Sequence, residues 1–233
     1  MRRRPLAILR LVNNWIEIRQ AVLDAAQLML RDGLVVGTSG NVSARCTDDS
    51  LAITASGTDY AAMTLEDIVV VDFDGEPIVG DAIPSTEMLM HSAIYRARPG
   101  VGAVMHTHSA YASGLAIAGQ PLPPLIDEIV VHLGGVIEVS EYAFPGTEEL
   151  GDRVVAALGE RNAALIRNHG LVGVGKTPAE ALRACQITEH SARIYSIAKT
   201  VGVPQEIPAD AVATEIELFR MHQAAEAHLK EDR

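Results

Sequence analysis

The chain has 233 residues, 48% of them hydrophobic, and a formal net charge of −11. That length and apolar content support one substantial core and a single domain. The charge argues against a nonspecific nucleic-acid binder, which needs a basic footprint, and no apolar run is long enough to span a bilayer.

The one dense basic cluster, Arg2-Arg3-Arg4, opens the chain and reads as a tail. Followed by Pro5 to Val12 it superficially mimics a signal peptide, but Arg10 interrupts the apolar part and no small-residue cleavage site follows. Residues 1–14 are therefore expected to be a flexible extension, and residues 15–233 a single domain. Two cysteines, Cys46 and Cys185, are too few for a disulfide framework and fit reduced thiols in the cytoplasm.

Asn13-Asn14 is placed to cap a helix from about Trp15 to Arg31, with Ile18, Val22, Ala25, Ala26 and Met29 on its apolar stripe. Asp32-Gly33 ends it. A polar turn, Gly37 to Asn41, leads into short strands at 41–45, 51–54 and 68–73. Pro84-Ser85-Thr86 predicts the start of a helix that stops at Pro99-Gly100. A strand from Val101 carries His106 and His108, and Ser109 caps a helix over 110–118. Pro121, Pro123 and Pro124 stiffen a connector into Leu125 to Glu128. His132 then reads as a packed core or interface residue of an apolar strand, and 136–139 as a further strand. Thr147 opens a helix to Leu158. Strands at 163–167 and 171–174 flank Asn168-His169-Gly170. Helices follow from Pro178 to Val201 and from Asp210 onward. Alternating helices and strands argue for a layered α/β domain.

Gly170 to Thr177 matches the phosphate-loop pattern. Such a loop must expose its backbone amides, yet Leu171, Val172 and Val174 are strand-like. Thr177-Pro178-Ala179-Glu180 is better explained as a helix cap, with Thr at the cap, Pro at the first helical position and Glu closing a box.

His106 and His108 are two apart, so a strand points both to one face with Cα atoms roughly 6.6 Å apart. That suits two ligands of a tetrahedral metal. Taken alone, the pair also matches two histidines on a solvated face. Glu87 and His169 are the residues available to complete a site. Ser85-Thr86 lies at a predicted helix N-terminus, where free amides and the helix dipole favour anions. Gly40-Asn41 and Ser56-Gly57 are small polar turns suited to an oxyanion, though each alone is also ordinary turn chemistry. His91, on the helix after Glu87, is in reach of the site, but helix packing is the preferred reading.

Five motifs in order resemble the class II aldolase/adducin family: Gly37-Thr-Ser-Gly-Asn-Val-Ser43, Thr54-Ala-Ser-Gly57, Pro84-Ser-Thr-Glu87, His106-Thr-His-Ser109 and Asn168-His-Gly170. The match covers about Trp15 to Gly202 and is most like the family's L-fuculose-1-phosphate aldolases. The resemblance implies a three-layer α/β/α fold around a mixed, mostly antiparallel sheet. It implies zinc, or manganese or cobalt, on His106, His108 and His169, with Glu87 as acid/base. Asn41, Ser56, Gly57, Ser85 and Thr86 would bind a substrate phosphate. The implied reaction is cleavage of a ketose 1-phosphate to dihydroxyacetone phosphate and an aldehyde, in a homotetramer with active sites at subunit interfaces. Two positions depart from the aldolase pattern. Glu128 and His222 stand about where those aldolases carry tyrosines. Glu128 resembles the acid/base of methylthioribulose-1-phosphate dehydratases, which keeps a dehydratase, an epimerase or a decarboxylase as alternatives.

Overall fold

The computed structural model describes the backbone of residues 4–231 and the side chains of residues 14–224. Helices are α1 (Arg4–Arg31), α2 (Met88–Ala97), α3 (Ala110–Ala118), α4 (Asp127–Leu133), α5 (Glu148–Leu158), α6 (Pro178–Val201) and α7 (Ala209–Glu231). Strands are β1 (Asn41–Arg45), β2 (Ser50–Thr54), β3 (Ile68–Asp72), β4 (Pro77–Val79), β5 (Ala103–Thr107), β6 (Ala163–Ile166) and β7 (Gly170–Gly175). They form one seven-stranded sheet in the order β4-β3-β2-β1-β5-β7-β6.

Every pairing between these strands is antiparallel. The sheet is thus antiparallel throughout rather than mixed; the parallel bridge from Val139 to Leu165 lies outside the named strands. The layers follow from strand alternation. Val42, Ala52, Ile68, Val70, Ala103, Met105, Ala163 and Leu165 join one core with α1, α3 and α6. Their neighbours Ile53, Val69, Val71, Val104, Ala164 and Ile166 join the opposite core with α2 and α5. Apolar residues at both parities identify strands buried on both faces, which gives three layers, helix–sheet–helix.

The structure moves several expected boundaries. The segment read as an N-terminal extension enters α1 at Arg4, so Asn13-Asn14 lies inside the helix and caps nothing. Arg2 and Arg3 of the basic cluster lie outside the described residues. The segment with His132 is helical, not a strand: α4 buries Ile129, Val130 and Leu133 on one side, and Gly134 ends it in the left-handed region at φ 90°. Packing of that face against α6 and α7 overrides the strand preference of its β-branched residues. Residues 136–139 form no strand, only isolated bridges through Ile137 and Val139. β4, mostly exposed and begun by Pro77, was not anticipated, and is an edge strand where proline is tolerated.

The phosphate-loop match is excluded as a loop, because Gly170–Gly175 is β7, hydrogen-bonded between β5 and β6. Thr177 caps α6 as expected. Its Oγ1 accepts from the Glu180 amide at 3.2 Å, and the Glu180 carboxylate accepts from the Lys176 amide at 2.8 Å.

Glycine sets the distance between β7 and α6. A Cβ on Gly173 would lie 2.7 Å from Cys185 Sγ and 2.9 Å from the Ala181 carbonyl oxygen. The backbone carbonyl cannot swing away, so Gly173→Ala is expected to destabilise the fold by about 1–3 kcal/mol. Denaturant unfolding should show a lower midpoint at unchanged slope.

Candidate metal centre and phosphate cavity

β5 is a central strand, flanked by β1 and β7, and His106 is fully buried near its end. It pairs with Asn41 on β1 and Val172 on β7, which places Asn41 and His106 on the face toward α2. His106 Nδ1 donates to the Leu171 carbonyl at 2.9 Å. Its proton is thus on Nδ1, and Nε2 presents a lone pair. Burial pushes its pKa down to about 3, so it is neutral.

His108 lies one residue past β5, and its Nε2 comes within 2.9 Å of His106 Nε2. His169 sits in the β6–β7 turn. The turn is made by Asn168 at φ 54° and by the His169 amide donating to Ile166 O at 3.0 Å. A Cβ on the next residue, Gly170, would lie 2.3 Å from Thr107 O and 3.1 Å from the His106 ring, so only glycine lets the turn approach. The three rings stand 4.7–4.8 Å apart, steeply tilted to one another. One ligand nitrogen from each lies within 4.8 Å of the others.

Glu87 closes this cluster. Its Oε2 is 3.1 Å from His106 Nε2 and its Oε1 is 3.2 Å from His169 Nε2. It does not sit in a first helical turn, as expected, but one residue earlier, as the N-cap of α2. Burial alone would raise its carboxyl. The hydrogen bond from Asn41 acts the other way and favours the ionised form.

These atoms test whether a cation belongs here. A lone pair on His106, a second imidazole nitrogen and a carboxylate converge within about one hydrogen-bond length. Glu87 Oε1 is buried and has no hydrogen-bond donor. Such a set repels itself unless positive charge lies at its centre. Three imidazole nitrogens with a nearby carboxylate match the ligand chemistry of a divalent ion such as zinc.

Beside the cluster lies a cavity of about 260 Å³. Its lining includes Asn41, Ser56, Gly57, Ser85, Thr86 and Glu87, so every residue expected at a phosphate borders one space, together with His108 and His169. The source of the hydrogen bonds differs from expectation. Ser85 and Thr86 precede α2 and are not its first turn. The Ser56 and Ser85 amides are already bonded to Ile83 O and Thr54 O. These two serines therefore offer the cavity their hydroxyls. Gly40, at φ 79°, brings β1 close: a Cβ there would lie 2.6 Å from the His106 carbonyl oxygen.

Glu128 stands apart. It is exposed in the first turn of α4 and does not line this cavity. His132 and His222 are also exposed, and border a separate cavity of about 710 Å³ at the opposite end of β5–β7. Its exposure rules out the core position for His132 within its own chain.

Sequence reasoning left one site residue in the background. His91 is buried and bonds Asn41 Oδ1 through Nε2 at 2.5 Å and Ser43 Oγ through Nδ1 at 2.7 Å. Its spacing of four from Glu87, one helical turn, was the available signal.

Comparison with known proteins places these features in context. The profile described as "Class II Aldolase and Adducin N-terminal domain" matches residues 20–196. A 5-methylthioribulose-1-phosphate/5-deoxyribulose-1-phosphate aldolase of Rhodospirillum rubrum is 35% identical, over 89% of this chain and 93% of its own. An L-fuculose phosphate aldolase of Escherichia coli K12 is 32% identical, over 88% of this chain and 95% of its own. A solved L-fuculose 1-phosphate aldolase, also 32% identical, superposes with a TM-score of 0.83 over 88% of this chain and 96% of that one.

Burial has a consequence for stability. It pushes the His91 pKa down from 6.5 to about 4. Between those values the unfolded chain binds the proton and the folded chain does not, so stability falls as pH falls. His91→Gln should flatten this acid limb by up to one proton, about 1.4 kcal/mol per pH unit. Denaturation midpoints of metal-free protein from neutral to acid pH measure it; an unchanged limb would contradict a neutral buried His91.

Proposed function

Since this chain belongs to the class II aldolase and adducin family, we propose that it is a metal-dependent aldolase. The substrate proposed is a ketose 1-phosphate of the L-fuculose-1-phosphate type, cleaved to dihydroxyacetone phosphate and an aldehyde. The observation that carries this reading is the small cavity where Glu87 meets hydroxyl-bearing turns, His108 and His169, with His106 buried 3.1 Å from the Glu87 carboxylate.

In this reading Asn41, Ser56, Gly57, Ser85 and Thr86 hold the phosphate and so fix the three-carbon end of the sugar next to Glu87. In cleavage Glu128 of a neighbouring subunit takes the hydroxyl proton of the aldehyde half as the adjacent carbon–carbon bond breaks. The electron pair stays on the phosphorylated fragment as an enediolate. Glu87, having taken up a proton from solvent, then delivers it to the carbanion carbon of that fragment. A divalent ion held by Nε2 of His106, His108 and His169, zinc by preference over manganese or cobalt, would supply Lewis-acid stabilisation of the negative charge.

The named relatives act on sugars that share a phosphorylated ketose end and differ in the aldehyde half. That pattern suits a cavity specialised for the shared end. It also weakens the dehydratase, epimerase and decarboxylase readings. A relative named for methylthioribulose phosphate is itself an aldolase, so the likeness of Glu128 to a dehydratase residue no longer argues for dehydration.

Glu128 is assigned to the aldehyde half of a substrate bound by a neighbouring subunit, since in its own chain it is exposed and away from the cavity. This calls for an oligomer, which the resemblance makes a homotetramer, and exposed apolar residues next to the cavity lining suit a subunit contact. Val36, Ile83 and Phe144, at 83%, 75% and 71% exposure, lie within two residues of cavity-lining positions. The two free thiols suit the reducing cytoplasm.

Two experiments test this. Elemental analysis of reconstituted protein should find one divalent ion per chain, and His169→Ala should lose metal and activity together; metal-free protein with full activity would refute the assignment. Product analysis on a panel of ketose 1-phosphates should find dihydroxyacetone phosphate. Glu87→Gln should slow proton exchange into that product by about 10²-fold or more, while Glu128→Gln spares exchange and slows cleavage. The reverse pattern, or a dehydrated ketone with no three-carbon fragment, would overturn the reading.

A further inference from the structure

Behind Glu87 runs a buried chain of hydrogen bonds that the aldolase reading does not use. Tyr95 Oη lies 2.8 Å from Ser43 Oγ, and Ser43 Oγ lies 2.7 Å from His91 Nδ1. His91 Nε2 lies 2.5 Å from Asn41 Oδ1, and Asn41 Nδ2 lies 3.0 Å from Glu87 Oε2. All five residues are at most 7% exposed. Two are on β1, two on α2, and Glu87 caps α2.

The Glu87 end fixes the direction of the chain. An ionised carboxylate only accepts, so Asn41 must turn its amide nitrogen toward it. Asn41 Oδ1 then faces His91, so Nε2 carries the His91 proton. Nδ1 is left as an acceptor, Ser43 donates to it, and Tyr95 donates to Ser43. Every bond has one donor and one acceptor in this direction. Reversal would set Asn41 Oδ1 against Glu87 Oε2. The same orientation leaves the second Asn41 amide hydrogen free to serve the cavity that Asn41 lines.

We infer that His91, backed by Ser43 and Tyr95, is a positioning residue. It locks the Asn41 side-chain amide so that its donors face Glu87 and the phosphate cavity. The inference rests on the aldolase reading for its kinetic consequence, but not for its structural one.

A double-mutant cycle tests it. His91→Leu and Asn41→Ala should each lower kcat/KM on the cleaved ketose 1-phosphate by roughly 10- to 100-fold, the range for one hydrogen bond to a charged group. The double variant should lose no more than either single one, because His91 acts through Asn41. Additive losses, or a fall in melting temperature with kcat/KM retained, would overturn the inference. Should His91→Leu fail to fold, Ser43→Ala removes the donor to Nδ1 at lower packing cost and should show the same coupling to Asn41→Ala. If the wild-type protein cleaves no ketose 1-phosphate, the aldolase reading fails by itself. The crystal structure of the folded variant then decides: an Asn41 amide turned away from Glu87 supports the inference, and an Asn41 nitrogen still about 3.0 Å from Glu87 Oε2 overturns it.

Discussion

A fully buried histidine in a central strand is the constraint on which the site depends. His106 has β1 on one side and β7 on the other, and no water reaches it. A buried imidazole must stay neutral and have its nitrogens matched. The Leu171 carbonyl takes the Nδ1 hydrogen, which leaves the Nε2 lone pair facing Glu87. The sheet register thus sets the orientation of one candidate ligand before any ion is considered. His108 and His169 reach the same point from a strand end and a hairpin turn, where only the glycine at 170 leaves room.

The polar content of the α2 side of the sheet follows from the same alternation. Asn41, Ser43 and His106 occupy positions where neighbouring strands carry valine and isoleucine. An unmatched polar group there would cost about 1–3 kcal/mol. The chain from Tyr95 to Glu87 matches them in sequence. Tyr95 is itself held by stacking on Phe73 at 5.8 Å and by the Arg45 guanidinium 4.8 Å above its ring. Rigidity passes from packed aromatic rings to the carboxylate through hydrogen bonds whose direction has one consistent solution.

The cavity next to Glu87 is lined by polar but not by strongly basic side chains. None of its lining residues is lysine or arginine. In the proposed reading, hydroxyls, a side-chain amide and a cation on the three histidines would hold the phosphorylated fragment, so net charge and ligand charge need not be opposite.

Much of this was legible in the chain itself. The His-x-His pair, the Asn168-His169-Gly170 turn and the small polar turns are local patterns, and the structure brings them to one place. Local patterns were also enough for α5, α6 and most strands, because Thr147 and Thr177 cap helices through contacts three residues away. What failed was decided at long range. The segment 129–133 reads as a strand by its own residues, and becomes helix because α6 and α7 offer its apolar side a surface. Glu128 sits in a motif-like position, but only the fold puts it outside its own chain's cavity. His91 looked like helix packing until β1 was laid against α2, giving its two nitrogens partners 50 and 48 residues away. Spacing along the chain determined which residues share a face or a turn. Which faces meet was decided only by tertiary packing, because burial and hydrogen-bond matching between distant segments leave no signature in either segment alone.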